Sequence, residues 1–554
     1  MHILGSLLQL RGQEPGVSPA VDGRGNVLAF SGEVFGGFPG LNVCESDTSA
    51  LLSKFETIFE TKTNTNAFID LVSKIQGPWS LVYWHEASKK LWFGRDVFGR
   101  RSLLIHEATE RDGRFILSSQ ASFVSENESE NEDSAFWSEI QPGLYSVDLS
   151  AQRITIKNHA WRDVTTNCLR LYDRAPELVQ PTVERTEGTT YSSSYNTVQD
   201  TAIDGFIAAL SSAVEKRVTL SINNVRSDSL KSNDDVENSS EPPAFLGILF
   251  SGGVDSALLA ALAHKHVPPS AVIDLCTVCF AGGTSPDRLA ALDGLRELKT
   301  VFPSRKWRLI EIEATMQDVD DVSVRLNQTL HPSNTVMDVN IGAALWFAAQ
   351  GEGWIEKVTE TGNGPSAQKV KYKSKAKVLL LGQGADEQCA GYKRHRATFL
   401  RSSLDSDETT THTNNDTLPP NRNKNWQALN SELQQDMCRL WQRNLGRDDR
   451  LISDHSREGR FPFLDEGVVA CVLSMNLSHV AHLENEGICQ YGAFPGDKIL
   501  IRAAAVRLGL HRCAARTKRA IQFGSRISKA YDLQEFGSSR KAKAMGGGTH
   551  KAKS

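Results

Sequence analysis

The segment that most constrains this chain is Phe250-Ser251-Gly252-Gly253-Val254-Asp255-Ser256, where a strand turns directly into a helix. Phe245-Leu246-Gly247-Ile248-Leu249-Phe250 is an apolar run of strand length, and Leu258, Leu259, Leu262 and Ala263 recur after it at helical spacing. Gly252 and Gly253 let the backbone approach a ligand closely, and the helix start turns unpaired N–H groups and a positive dipole end toward an anion. Ser251 and Ser256 add hydroxyl donors. Asp255 would repel a phosphate unless a divalent cation lay between them, and Mg²⁺ is commonly held by one or two carboxylates together with phosphate oxygens. The segment therefore reads as a magnesium pyrophosphate site.

No lysine follows the glycines, so the loop is not of the G-x-x-x-x-G-K-[ST] kind. It resembles the SGG-x-DS PP-loop of ATP-pyrophosphatases, which split ATP between its α- and β-phosphorus and adenylate an acceptor. Composition sets outer bounds on this reading. A chain of 554 residues exceeds one hydrophobic core, so two or three domains are expected. A formal net charge of −4 offers no field to draw in nucleic acid or an anionic membrane, and neither is expected as a partner. The nine cysteines lack a disulfide-like spacing and Met1-His2-Ile3-Leu4-Gly5 lacks the basic start of a signal peptide, which together predict a reducing, cytoplasmic location. Cys276-Thr277-Val278-Cys279 has no second pair at zinc spacing and is read as buried strand thiols. Nothing here fixes an oligomeric state.

Residues 1–164 read as an α+β domain: apolar strands at 27–30, 79–84, 91–93 and 115–117, a hairpin connection over 85–90, and a helix carrying Leu51, Leu52, Phe55 and Phe59. Residues 165–200 are rich in Thr, Ser, Glu and Pro without periodicity and are expected to be a linker; the polar stretches 227–241 and 402–425 read as surface insertions. Over 201–535 apolar strands alternate with helices, which predicts an α/β doubly wound parallel sheet with helices at its C-terminal end. Residues 536–554 form a basic tail.

After the strand at 378–381 comes Gly382-Gln383-Gly384-Ala385-Asp386-Glu387, followed by Gly391-Tyr392. A carboxylate again lies at the carboxyl edge of the sheet, and Asp386 is the expected second ligand of the cation held by Asp255. With FSGGVDS at 250–256, SPD at 285–287, GQGADE at 382–387, RNLGRDDR at 443–450, GRFPFLDE at 459–466 and DKILIR at 497–502, nearly the whole chain resembles asparagine synthetases and their eukaryotic domain-containing relatives. The resemblance implies a glutaminase half of the N-terminal-nucleophile type, folded as a sandwich, and a synthetase half. The latter adenylates the β-carboxylate of aspartate with ATP and Mg²⁺, and ammonia, from glutamine or free, displaces AMP. It further implies that Ser251, Gly252, Gly253 and Ser256 hold pyrophosphate, that Asp255 and Asp386 hold Mg²⁺, and that Gly384 borders the nucleotide. Phe280 would touch adenine, and Lys498 would offset charge developing on the departing pyrophosphate.

Two departures stand out. The family's N-terminal cysteine nucleophile has no counterpart: the chain starts Met1-His2 and its first cysteine is Cys44. Loss of such a nucleophile costs about a millionfold in rate. Ser31-Gly32-Glu33 replaces the family's Asn-Gly-Glu, so Gly32, Glu33 and Asp47 are left as vestigial glutamine-binding positions, and the half is expected to be either truncated or a relic without glutaminase activity. In the synthetase loop, Gln383 stands where the family's glutamate helps deprotonate ammonia. An amide can orient a nucleophile but accepts no proton, and losing general-base assistance costs roughly 10²–10⁴-fold. Glu387, one helical turn away, has three roles open to it: a substitute carboxylate, a solvated side chain, or a cap near the loop. Two other readings stand beside the ligase: a non-catalytic MgATP-binding protein, and a PP-loop enzyme adenylating a different acceptor, such as a tRNA base or a β-lactam precursor.

Overall fold

The computed structural model describes residues 1–8, 10–11, 16–38, 45–60, 65–121, 136–180, 199–228, 241–361, 364–404, 420–483, 487–489 and 492–536. Most of the expected insertions at 227–241 and 402–425, Cys44, and all of the tail but residue 536 lie outside them. No helix of the described residues is long and apolar enough to cross a membrane. Cys168, Cys276, Cys279, Cys389, Cys438, Cys471 and Cys513 are free thiols, with Cys276 and Cys279 buried in one strand.

The N-terminal half is layered. Its antiparallel six-stranded sheet runs in the order Ala20–Val21, Val27–Gly32, Trp79–His85, Lys90–Arg95, Gly143–Asp148 and Lys157–His159. Strand alternation decides what each face meets. Leu28, Phe30, Leu81, Tyr83 and Trp92 pack on Leu51, Leu52, Phe55, Phe68 and Val72 of the helices Asp47–Glu60 and Thr65–Lys74. Phe93 and Val147 face the other way, onto Leu103, Ile105 and Ile140 around a small sheet ordered Ile116–Ser118, Leu104–His106, Ser138–Glu139. The expected sandwich is thus one broad sheet covered by helices on one face and by three short strands on the other.

In the C-terminal half the expected all-parallel sheet needs correcting: it is mixed. Its seven strands lie in the order Gly364–Lys373, Glu352–Thr361, Lys306–Glu313, Val272–Cys279, Ala244–Leu249, Val378–Leu380, Glu458–Arg460. The last five are mutually parallel, and the first two form an antiparallel hairpin on the edge. From Ala244–Leu249 the chain proceeds outward through Val272–Cys279 to Lys306–Glu313, then returns to place Val378–Leu380 on the opposite side. The order reverses between Ala244–Leu249 and Val378–Leu380, and ligands of open α/β sheets bind at the carboxyl ends beside such a reversal. Both carboxylate loops emerge there.

A second correction concerns residues 165–180, expected in the linker. Asp163 caps a helix over Val164–Leu171, accepting from the Thr166 N–H at 2.8 Å. Tyr172 follows in the left-handed region at φ 47° and is fully buried, while Arg174 Nη1 donates to the Val472 carbonyl at 2.8 Å. Of this helix only Leu169 is buried. Residues 181–198 lie outside the described set.

The halves meet through buried charge. Arg100 reaches the Leu464 carbonyl at 2.7 Å and the Glu466 carboxylate, while its own half supplies Asp96 at 2.9 Å and the Gly77 carbonyl at 2.6 Å. Arg101 pairs with Asp449 and Glu458, each at 2.8 Å, and the Ser102 N–H donates to Asp449 at 2.9 Å. Gly99, at φ 65°, permits the approach: a Cβ there would lie 2.7 Å from the Trp441 Cβ.

Candidate active site

Gly253 is the extended cap of the helix Val254–His266, and Gly252 sits at φ 71°. A Cβ on Gly252 would lie 2.3 Å from the Ala290 carbonyl carbon, so only glycine lets this loop press against the helix Pro286–Val301. Arg516 binds the Gly252 carbonyl from behind. Ser251, Asp255 and Ser256 line a cavity of about 980 Å³ together with Gly382, Gln383 and Asp386. The cavity also takes Trp137, Ser138 and Glu139 from the N-terminal half, so it lies between the halves.

The two carboxylates expected to share a cation converge on the Lys498 ammonium. Lys498 Nζ is 2.6 Å from Asp255 Oδ2 and 2.6 Å from Asp386 Oδ1, and Lys518 Nζ is 2.6 Å from Asp386 Oδ2. Asp255 and Asp386 keep 21% and 16% of their side-chain exposure, whereas Lys498 keeps none, so the carboxylates are the layer that a ligand meets. Lys498 is held in the left-handed region at φ 56°, at the start of the helix Ile499–Arg507, with its N–H donating to the Cys389 carbonyl at 2.8 Å. Strain of this kind in a non-glycine residue persists where surrounding structure fixes it, and it clusters at functional sites.

Charge follows from this packing. Burial pulls the Lys498 ammonium toward neutrality, but Asp255 and Asp386 outweigh it and raise its pKa. Burial raises Asp386 too, yet Lys498 and Lys518 together hold it well below the usual carboxylate range. For Asp255 burial prevails over Lys498, helped by the charge on Asp386, and its carboxyl is raised. Asp255 Oδ1 is buried without a hydrogen-bond partner. An orphaned carboxylate oxygen beside a second carboxylate suits Mg²⁺, which needs only one or two such ligands when phosphate oxygens and water complete its shell. Among the described residues no group of three or more His, Cys, Asp or Glu side chains is placed to hold a metal ion.

Gly384, at φ 92°, caps the short helix Ala385–Gln388, and Glu387 Oε2 accepts its N–H at 3.1 Å. Of the three roles open to Glu387 the cap is the one seen, and solvation is not, because the side chain is buried; its Oε1 accepts from the Tyr392 hydroxyl at 2.6 Å. Gln383 Nε2 donates to Asp448 Oδ2 at 2.9 Å. Phe280 departs from expectation: it does not line the cavity, and its ring packs edge-on against Phe347 at 6.1 Å. Lys518, Asp448 and Asp287 reach the cavity without having been given roles. RNLGRDDR and SPD had marked the last two, whereas Lys518 lies in an Arg-Thr-Lys-Arg run indistinguishable from a solvated one.

Burial pushes Asp287 up to about 7 against the pull of Arg519 and Lys518. A carboxyl raised above its unfolded value contributes stability that is full below about pH 4 and lost as pH rises through its folded value. Between pH 5 and 8 the protein is therefore expected to lose on the order of 2–3 kcal/mol from this group. Asp287→Asn should remove that part of the slope, read from denaturation midpoints across the range.

In the N-terminal half, Gly32, Glu33 and Asp47 lie together, outside the cavity lined by Ser251, Asp255 and Asp386. Arg11 Nη1 binds Asp47 Oδ1 at 2.6 Å, the Val34 N–H donates to Asp47 Oδ2 at 3.1 Å, and Arg460 reaches Glu33 at 3.4 Å. Burial pushes Asp47 up to about 6 against the Arg11 charge, and raises Glu33 well above the usual range.

Known family profiles match both halves of the chain. The asparagine synthase family profile matches residues 241–335 and 366–539, and a glutamine amidotransferase domain profile matches residues 13–126. Asparagine synthetase domain-containing protein 1 of Bos taurus is 33% identical, over 95% of this chain and 88% of its own length. Its Homo sapiens counterpart is also 33% identical, over 96% and 89%. A Methanocaldococcus jannaschii protein named putative asparagine synthetase [glutamine-hydrolyzing] 1 is 26% identical over 42% of this chain and 33% of its own.

Proposed function

The chain belongs to the family of asparagine synthetase domain-containing proteins, and from that premise we propose that it is an ATP-dependent ligase forming asparagine, AMP and pyrophosphate from aspartate, ATP and ammonia. The observation that carries the reading is the convergence of Asp255, Asp386 and Lys498 beside the PP-loop at the reversal of strand order. The N–H groups at the start of the helix Val254–His266, with Ser251 and Ser256, bind the pyrophosphate end of ATP. The aspartate β-carboxylate attacks the α-phosphorus, forming an acyl–phosphate bond as the bond to the β-phosphate oxygen breaks. Lys498 then offsets the charge released on pyrophosphate. Mg²⁺, held by Asp255 and Asp386, would supply screening of the phosphate charge.

For the nitrogen donor we favour free ammonia. The carboxylates expected to recognise glutamine, Glu33 and Asp47, are turned onto Arg460 and Arg11. Pyrophosphate release with ATP, Mg²⁺, aspartate and ammonium tests the ligase. Asparagine and pyrophosphate in equal amounts are the expected result. Thermal stabilisation by MgATP with no pyrophosphate release would leave a nucleotide-binding protein without turnover and sink the reading.

A further inference from the structure

We propose that Asp448 is the general base for amide formation, presented to the incoming amine by Gln383 and Arg447. The proposal rests on the ligase reading above. When ammonia becomes an amide nitrogen it must give up a proton, and the cavity must contain a group to take it. The carboxylates nearest the PP-loop have other tasks: Asp255 and Asp386 pair with Lys498 and Lys518 and are the expected cation ligands, and Glu387 accepts from the Gly384 N–H and the Tyr392 hydroxyl. Gln383, between the two glycines of the loop, has an amide that cannot accept the proton.

Asp448 is placed differently. It lines the same cavity, and its two oxygens have divided tasks. Oδ1 accepts from Arg447 Nε at 3.0 Å and from Arg447 Nη at 2.9 Å, which fixes the plane of the carboxylate. Arg447 is itself tied to Asp338 Oδ1 at 2.9 Å, and Asp338 is held at the capped start of the helix Val336–Gln350 by Thr335. Oδ2 accepts from the neutral Gln383 amide at 2.9 Å, which leaves a lone pair of that oxygen for an amine. The loop therefore presents a carboxylate one hydrogen bond beyond its own backbone. Gln383 and Arg447 are positioning residues, and Asp448 is the group that meets the nucleophile.

The step balances as follows. The ammonia nitrogen bonds to the acyl carbon, and the bond from that carbon to the AMP phosphate oxygen breaks, its electron pair leaving with AMP. The proton displaced from nitrogen passes to Asp448 Oδ2 and then to solvent as asparagine departs.

The test uses the full chain and two assays. ATP–pyrophosphate exchange with aspartate reads adenylation alone, and single-turnover asparagine formation with ammonium reads the amide step. Asp448→Asn is expected to lower the amide step by about 10²–10⁴-fold and exchange by far less. Gln383→Glu alone should also slow the amide step, because two carboxylates at hydrogen-bond distance cannot both stay ionised. Joined to Asp448→Asn, however, Gln383→Glu restores one carboxylate at this corner and should recover at least about tenfold over Asp448→Asn, a sign reversal that a packing role would not produce. Exchange and amide formation falling together, or no rescue in the double variant, overturns the proposal. Absence of exchange in the unaltered protein overturns the ligase reading and the proposal with it. Intact exchange with an unaltered amide step in Asp448→Asn overturns this proposal alone.

Discussion

Replacing Lys498 with methionine is expected to abolish ATP–pyrophosphate exchange and to lower stability by about 3–5 kcal/mol. Methionine keeps an unbranched apolar stem, so the loss isolates the ammonium. Without it, Asp255 and Asp386 face each other at close range with Lys518 as the remaining counter-charge among the described residues, and one must take up a proton. A protonated carboxyl holds neither the departing pyrophosphate's counter-charge nor a divalent cation. The variant should therefore carry its own pH signature. A carboxyl whose folded pKa is raised stabilises the fold below its unfolded value and loses that contribution as pH rises. The stability gap to the unaltered protein should accordingly narrow toward pH 5 and widen toward pH 8. In the unaltered protein the raised Lys498 pKa keeps its contribution whole across that range, because loss begins only above the ordinary lysine value. A denaturation series that shows a constant gap across pH would remove Lys498 from its place as counter-charge to the two acids.

Gly391→Ala is expected to lower exchange by at least about 10²-fold, the scale of an ångström's misplacement at a reacting centre. A Cβ at this position would lie 1.9 Å from Asp386 Oδ1 and 2.4 Å from Lys498 Cε, so one of the two must leave the contact that joins them. Gly391 is not at positive φ, and its N–H donates to the Asp386 carbonyl at 2.8 Å, so alanine needs no unusual backbone there. The injury is steric and aimed at the site. Gly23→Ala provides the contrast, since a Cβ there meets nothing within 4 Å. Equal exchange in the two variants would mean that the Asp386–Lys498 contact is dispensable.

What could be read in advance was what local periodicity and loop chemistry encode. The strand, glycine turn and helix over 244–266 follow from an apolar run, two glycines and helical spacing, and they formed as expected. The edge hairpin Glu352–Thr361 and Gly364–Lys373 was missed, although Gly-Asn-Gly at 362–364 between alternating residues is a hairpin signal. Its charged, lysine-rich strands dilute the apolar pattern, as an edge strand's composition often does. Lys518 and the Gln383–Asp448 contact were illegible for a different reason: their partners are distant in sequence, at Asp386 and across from residue 383 to 448, and no spacing rule encodes a tertiary meeting. Phe280 shows the converse, a residue at the end of the right strand whose ring turns into the core.

The joint of guanidinium and carboxylate groups between the two halves bears on inheritance. Arg100 and Arg101 satisfy acceptors at Leu464, Glu466, Asp449 and Glu458, positions in or beside the mixed sheet. Either half made alone would leave these groups without their partners, at a cost of several kcal/mol for each buried charge stranded. Mutational drift at 96–102 is thus bounded by the half that holds the PP-loop, whatever catalysis the first half keeps.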